Sequence, residues 1–216
     1  MQELDYILSQ KGAAAIFIMT IALSLYTLYA DEKLFEDLKF NPYSFFKDKQ
    51  YHTLITSGFI HVDFNHLLFN MLTFYFFAFE LEPLIGSINF VILYFSALII
   101  SDLHVLFLHK NDPTYSSVGA SGAITAVLFA SILYEPNMGI GMIFIPLYIP
   151  APVYALIYVG LCIYLNKKDK TSNINHLAHL WGAVSGLILT VIIDPSIINH
   201  FLQTIDVASW FDFNGL

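Results

Sequence analysis

Ser121 stands in the run Gly119-Ala120-Ser121-Gly122, and about 58 residues further on His179 stands in Ala178-His179-Leu180-Trp181-Gly182, with Gly186 beyond. A hydroxyl and an imidazole are the two halves of a nucleophile activated by a general base. Each is set among residues small enough to let two helices touch. A third group, His66 and Asn70, is spaced by four and so shares one helix face, from which both side chains can donate hydrogen bonds toward one point. Nucleophile, base and donors together would carry out acyl transfer.

The elements that position these groups are set by composition. Of 216 residues, 57% are apolar and 12% charged, and the mean hydropathy is +0.66, where soluble domains carry roughly 25% charge. The solvent is therefore a bilayer, and no segment is large enough for a separate water-soluble core. One domain spanning 1–216 is expected. The net charge is −8 and all nine cations are lysines, which argues against nucleic acid as a partner and excludes a bidentate arginine clamp. Cys162 is the only cysteine. It lies in an apolar run and reads as an inert thiol.

Apolar runs occupy about 13–30, 64–81, 87–108, 118–134, 141–165 and 176–193. Each has roughly 17 to 25 residues, enough at about 1.5 Å per residue to cross a hydrocarbon core near 30 Å, so the expected fold is an all-α bundle of six transmembrane helices. The first run is read as a span rather than a cleaved leader, because it follows an acidic start with Glu3 and Asp5. The connection from Asp31 to Asp63 is long and mixes aromatics with charge. It is expected to lie in the membrane interface. Pro146, Pro150 and Pro152 should bend or break the fifth helix. On the sixth run His176, His179, Gly182 and Gly186 share a stripe, and Gly119, Gly122, Ala126 and Ala130 step similarly along the fourth. These two smooth stripes can meet, which would bring Ser121 to His179.

Each residue type also has a plainer use. Serine and glycine in membrane helices commonly serve packing, and a histidine or asparagine there can simply satisfy a carbonyl. Asp102 and His104 are read in that way. Alternatively, His61, Asp63, His66, His176 and His179 could coordinate a metal in a transporter or a metalloprotease. Their spacing is loose and no HExxH occurs. The reading adopted therefore has no metal and no cofactor.

From about Tyr51 to Thr190 the chain resembles the rhomboid intramembrane serine proteases. In that family a Gly-x-Ser-Gly serine opens the fourth helix, matched by Gly119-Ala120-Ser121-Gly122. The base is the histidine of Ala-His-x-x-Gly-x-x-x-Gly on the sixth, matched by Ala178, His179, Gly182 and Gly186. The second helix bears His-x-x-x-Asn, matched by His66 and Asn70, and further on a glutamate four residues before a glycine, matched by Glu82 and Gly86. The chain departs from the pattern twice. The first-loop arginine falls at Thr53, leaving its structural role absent or passed to His52. The tyrosine that often follows the serine by four residues and stacks on the base is replaced by Thr125. Neither change removes a reacting group.

The resemblance implies a Ser121–His179 dyad, with an oxyanion met by the Ser121 amide, His66 and Asn70; one such donor is worth about 3 to 4 kcal/mol in the transition state. It implies transmembrane protein substrates that enter from the lipid as unwound segments, with the proline-bent fifth run as the gate. Glu82, Gly119, Gly122, Gly182 and Gly186 are its structural supports. A non-catalytic rhomboid-like binder of membrane clients, or a histidine-based metal transporter, are the alternatives. Eight of the nine lysines fall in the first, third and fifth loops, which by the positive-inside rule would turn the active-site mouth inward. The resemblance implies the opposite, a cytoplasmic N-terminus and an outward mouth. We follow it, expecting a multi-pass protein of a bacterial cell membrane.

Overall fold

The computed structural model describes residues 9–142, 145–168, 175–208 and 210. Glu3, Asp5 and Lys170 lie outside these. Helix α1 (Lys11–Tyr29) leads into three short helices, α2 (Glu32–Leu38), α3 (Pro42–Lys47) and α4 (Thr53–Thr56), and a 3₁₀ turn at Ser57–Phe59. Then come α5 (Phe64–Ile85), α6 (Ser87–Leu108), α7 (Ser121–Tyr134), a hairpin of β1 (Gly139–Met142) and β2 (Ile145–Pro150), α8 (Ala151–Lys168), α9 (His176–Ile193) and α10 (Ile197–Thr204).

Helices α1, α5, α6 and α9 are long and apolar enough to cross a membrane. Their outward positions are apolar too: Ile18, Phe76, Ile88, Phe107 and Ile192 are all exposed. A helix that is apolar on its outward face as well as its inward one has lipid as its solvent. This is an integral membrane protein. Helix α7, only 14 residues long and buried along most of its length, is packed by α5, α6 and α9. At about 1.5 Å per residue the helix itself covers only about 21 Å of a hydrocarbon core near 30 Å.

Local chemistry sets the helix boundaries, and several differ from the expected ones. Gly119 has φ +111°, a conformation that does not continue into a helix, so α7 starts at Ser121 rather than near 118. Gly119 therefore belongs to the turn before α7 and not to the stripe of Gly122, Ala126 and Ala130. The fifth run is helical only from Ala151. Gly139–Met142 and Ile145–Pro150 pair antiparallel instead, with Gly139 opposite Pro150 and Ile140 opposite Ile149. Pro146 and Pro150 cannot donate to a helix ladder, whereas Pro152, in the first turn of α8, has no helical acceptor to lose. Helix α5 runs past the expected residue 81 and ends at Gly86, whose φ of +80° turns the chain into α6.

Glu82 explains that extension. Its side chain, 1% exposed, accepts hydrogen bonds from the backbone N–H groups of Gly12 at 3.0 Å and Ala13 at 2.6 Å and from the Ser87 hydroxyl. A carboxylate against the first amides of a helix satisfies donors that have no intrahelical acceptor and complements the helix dipole. One side chain thus fixes the start of α1 against the α5–α6 corner. The loop before α5 is equally anchored. Phe40 and Ser117 exchange backbone hydrogen bonds of 3.1 and 2.9 Å, and Asn41 Nδ2 donates to the Pro113 carbonyl. Burial, with Asp102 nearby, pushes the Tyr115 phenol up to about 12, so it stays protonated beside Ser117.

Candidate active site

Ser121 is the first residue of α7, and the first i→i−4 bond of that helix is Ile124 N–H to the Ala120 carbonyl at 3.0 Å. The amides of Ser121, Gly122 and Ala123 therefore precede the helical ladder and point out of its positive end. An anion forming beside Ser121 would meet oriented donors there. His179 lies one turn into α9. That helix is started by Asn175, whose side-chain oxygen accepts from Ala178 N–H at 3.0 Å.

The two helices come together backbone to backbone. A methyl group on Gly182 would sit 2.2 Å from the Gly122 carbonyl oxygen, and one on Gly186 would sit 2.4 Å from that of Ala126. On the other side of α7, a methyl on Gly122 would sit 2.2 Å from Ser101 Oγ of α6 and 3.5 Å from the Ala178 carbonyl. Gly122, next to Ser121, thus packs against Gly182, about one helical turn beyond His179. Two packed stripes, each missing its side chains, allow that approach.

The donors of α5 converge on the turn before Ser121. Asp63 caps α5 through the His66 N–H at 2.8 Å. A methyl on Gly119 would lie 2.7 Å from His66 Cε1, 3.0 Å from His66 Nε2 and 3.7 Å from Asn70 Nδ2. Any residue but glycine would collide with the His66 ring there, besides being strained by the positive φ. The Gly119 N–H is held by the Ser57 carbonyl at 2.9 Å.

Asn70 does not stand alone. Its Nδ2 is 2.8 Å from His61 Nε2, His61 Nδ1 is 2.9 Å from Ser24 Oγ, and that hydroxyl donates to the Phe59 carbonyl at 2.9 Å. Only one assignment of protons satisfies all three contacts. Ser24 gives its proton to Phe59, so His61 Nδ1–H donates to Ser24 Oγ, and the bare His61 Nε2 accepts from the Asn70 amide. Asn70 is therefore held with its NH₂ toward His61, and its second N–H remains for another acceptor. The His61 ring also meets the His66 ring edge-on, with centroids 4.8 Å apart. His61, grouped by sequence with possible metal ligands, has both ring nitrogens engaged in this chain. Ser24, on α1, carries no sequence signal for it.

Other residues singled out by sequence fall elsewhere. Glu82 is 12 positions past Asn70 on α5, about 18 Å along the axis, and clamps α1. His104 Nδ1 is 2.9 Å from the Ser101 carbonyl, a local bond within α6. His52 Nε2 donates to the Asp37 carbonyl at 3.2 Å, tying α4 to α2, while Thr53 Oγ1 donates to Gln50 at 2.7 Å. Cys162 is buried. The His179 ring faces Tyr158 of α8, with centroids 6.4 Å apart and planes 24° from parallel. Nothing in the spacing of Tyr158 pointed to it.

A scan against known protein families matches the Rhomboid domain over residues 48–196. The chain belongs to the rhomboid family. Among curated relatives, this rhomboid is 31% identical over 154 residues to the "RHOMBOID-like protein 12, mitochondrial" of Arabidopsis thaliana, covering 64% of this chain and 45% of that one. It is 32% identical over 139 residues to the "Putative rhomboid protease YdcA" of Bacillus subtilis, covering 63% of this chain and 64% of that one. It is 26% identical over 193 residues to the "Rhomboid-like protein 16, chloroplastic" of Arabidopsis thaliana, covering 81% and 58%. The matched rhomboid segment thus spans about half to two thirds of these relatives. The matched region contains Ser121, His179, His66, Asn70 and His61, whereas Ser24 and the α1 end of the Glu82 clamp precede it.

Proposed function

We propose that this chain is an intramembrane serine endopeptidase of one domain and six spans, with α7 and α8 as the fourth and fifth, acting on transmembrane segments of other proteins. The observation that carries this reading is the contact of Gly122, next to Ser121, with Gly182, about one helical turn beyond His179. In this mechanism His179 takes the Ser121 proton as Oγ attacks the scissile carbonyl. The tetrahedral oxyanion is met by the Ser121 amide, by His66 and by the second N–H of Asn70. Collapse breaks the C–N bond, and the imidazolium returns its proton to the leaving amine. Water then attacks the acyl-enzyme with His179 again as base, which frees the acid and regenerates Ser121.

A dyad suffices because a third, ionised group beside the imidazole would be costly to desolvate in a helix bundle. Substrate carbonyls in an intact helix are already bonded, so the segment must unwind to react. Entry beside α8 fits a helix that starts late, after a proline-rich hairpin. The N-terminus is assigned to the cytoplasm of a bacterial cell and the mouth to the outside.

A serine-directed fluorophosphonate tests the assignment. In detergent-solubilised protein it should label Ser121, mapped by peptide mass spectrometry, and replacing His179 by alanine should remove the label. Label on another serine, or undiminished label in the His179→Ala variant, overturns it. Absence of label together with retained binding of a membrane client would favour the non-catalytic reading instead.

The Asn70 donor can be tested through its neighbour. Asn70→Ala should lower kcat on a reporter transmembrane substrate about 10²-fold, the usual worth of one oxyanion donor. His61→Leu should cost about tenfold by releasing the Asn70 amide, and the double variant should be no worse than Asn70→Ala alone, because both act through one bond. Additive losses would show that His61 acts independently of Asn70.

A further inference from the structure

We infer that Tyr158, on α8, is the positioning residue that sets the plane of the His179 imidazole, and that Thr125 ties it to the nucleophile's helix. This rests on the proposed protease reading.

Three contacts carry the inference. The Tyr158 ring lies against the His179 ring, offset, with planes 24° apart and centroids at 6.4 Å. The Tyr158 hydroxyl is 3.2 Å from Thr125 Oγ1. Thr125 Oγ1 also lies 2.8 Å from the Ser121 carbonyl, to which it is the donor. A threonine hydroxyl has one proton, and here it goes to the Ser121 carbonyl. The Tyr158 phenol must therefore be the donor to Thr125. The chain of contacts runs from the Ser121 carbonyl through Thr125 to Tyr158 and on to the His179 ring.

The tyrosine is itself held in place. Tyr154 stacks beside it at 5.7 Å and Phe129 of α7 packs against it at 5.7 Å. Such ring contacts fall within the range in which aromatic faces and edges attract. His179 also meets the His176 ring nearly at right angles, at 6.5 Å. These two ring contacts together constrain the plane of the imidazole. A base must hold its reacting nitrogen within hydrogen-bond reach of the nucleophile, so a ring free to turn about its χ2 axis would lose rate rather than binding.

Thr125 stands where the family often carries a tyrosine, and the structure brings a tyrosine to the base from a different helix. The base is then oriented by α8, a helix that does not carry the nucleophile, and the small Thr125 leaves room for the ring that α8 supplies. Two arrangements that use the same space exclude each other. This makes the assignment testable by exchange.

The experiment compares kcat and KM for a reporter transmembrane substrate, with the rate of fluorophosphonate labelling of Ser121, across variants of the full chain. Tyr158→Leu should reduce kcat and labelling about tenfold to a hundredfold with little change in KM. The double variant Thr125→Tyr with Tyr158→Leu should recover much of that loss. Tyr158→Phe and Thr125→Val should each cost about two- to fivefold, and combining them should cost no more than either alone.

If Tyr158→Leu fails to fold, judged by its thermal melt, the Phe and Val pair still decides the matter. Full activity in Tyr158→Leu, equal loss in kcat and in substrate affinity, or additive losses for the Phe and Val pair would overturn the inference while leaving the dyad standing. A wild-type protein that neither cleaves nor labels would overturn both.

Discussion

Replacing Ser121 by alanine is expected to abolish cleavage of a reporter transmembrane segment, a fall of at least about three orders of magnitude in kcat, without lowering the melting temperature. The size follows from what is removed. Nucleophile deletion in serine hydrolases leaves only the residual rate supplied by binding and oxyanion stabilisation. The fold should not notice the change, because the Ser121 carbonyl remains as the Thr125 acceptor and the backbone amide remains at the start of α7. A gel-based cleavage assay in proteoliposomes, run beside a thermal melt, checks both halves. Undiminished cleavage, or cleavage abolished by a chelator in the wild type, would remove Ser121 from the mechanism and return the histidines to consideration as metal ligands.

The second large effect is steric. Gly182→Ala is expected to lower activity by about 10² or more, because even a small misplacement of reacting groups is costly. The added methyl would lie 2.2 Å from the Gly122 carbonyl oxygen, 3.0 Å from its carbon and 3.2 Å from its Cα. These are backbone atoms and cannot rotate aside, so α9 must move away from α7 and take His179 with it. Overpacking of this kind also costs about 1 to 3 kcal/mol of stability. Gly160→Ala is the control: on α8, a methyl at that position meets nothing within 4 Å, and it should leave activity and melting unchanged. Equal tolerance at both positions would mean that the α7–α9 seam does not set the site.

These two predictions rest on features of very different visibility in the sequence. The seam could be read from residue size alone, since Gly182 and Gly186 at a spacing of four leave one face of a helix bare, and Gly122 and Ala126 leave the matching face of another. The late start of α8 was half visible. Three prolines announce that the fifth helix is bent or broken, but not that Gly139–Met142 and Ile145–Pro150 pair as strands, which depends on cross-strand bonds between residues that share no pattern. Tyr158 was invisible. Whether a tyrosine on one lipid-embedded helix reaches a histidine 21 positions away depends on how each helix is rotated about its own axis, and α8 is too uniformly apolar for periodicity to fix that rotation. His61 was seen but misgrouped, because residue type reveals that an imidazole is present and not that both of its nitrogens have partners.

The carboxylate of Glu82 bears on where the working unit of this protein begins. The Rhomboid domain match begins at residue 48, yet Glu82 accepts from the backbone of residues 12 and 13, and Asn70 is aligned through His61 and Ser24. A fragment trimmed to that match would keep Ser121, His179, His66 and Asn70 but lose two of the three donors to the Glu82 carboxyl at one end of α5 and the Ser24 partner of His61 Nδ1 at the other. The family match and the mechanically self-sufficient unit have different borders in this chain, and the first helix belongs to the second.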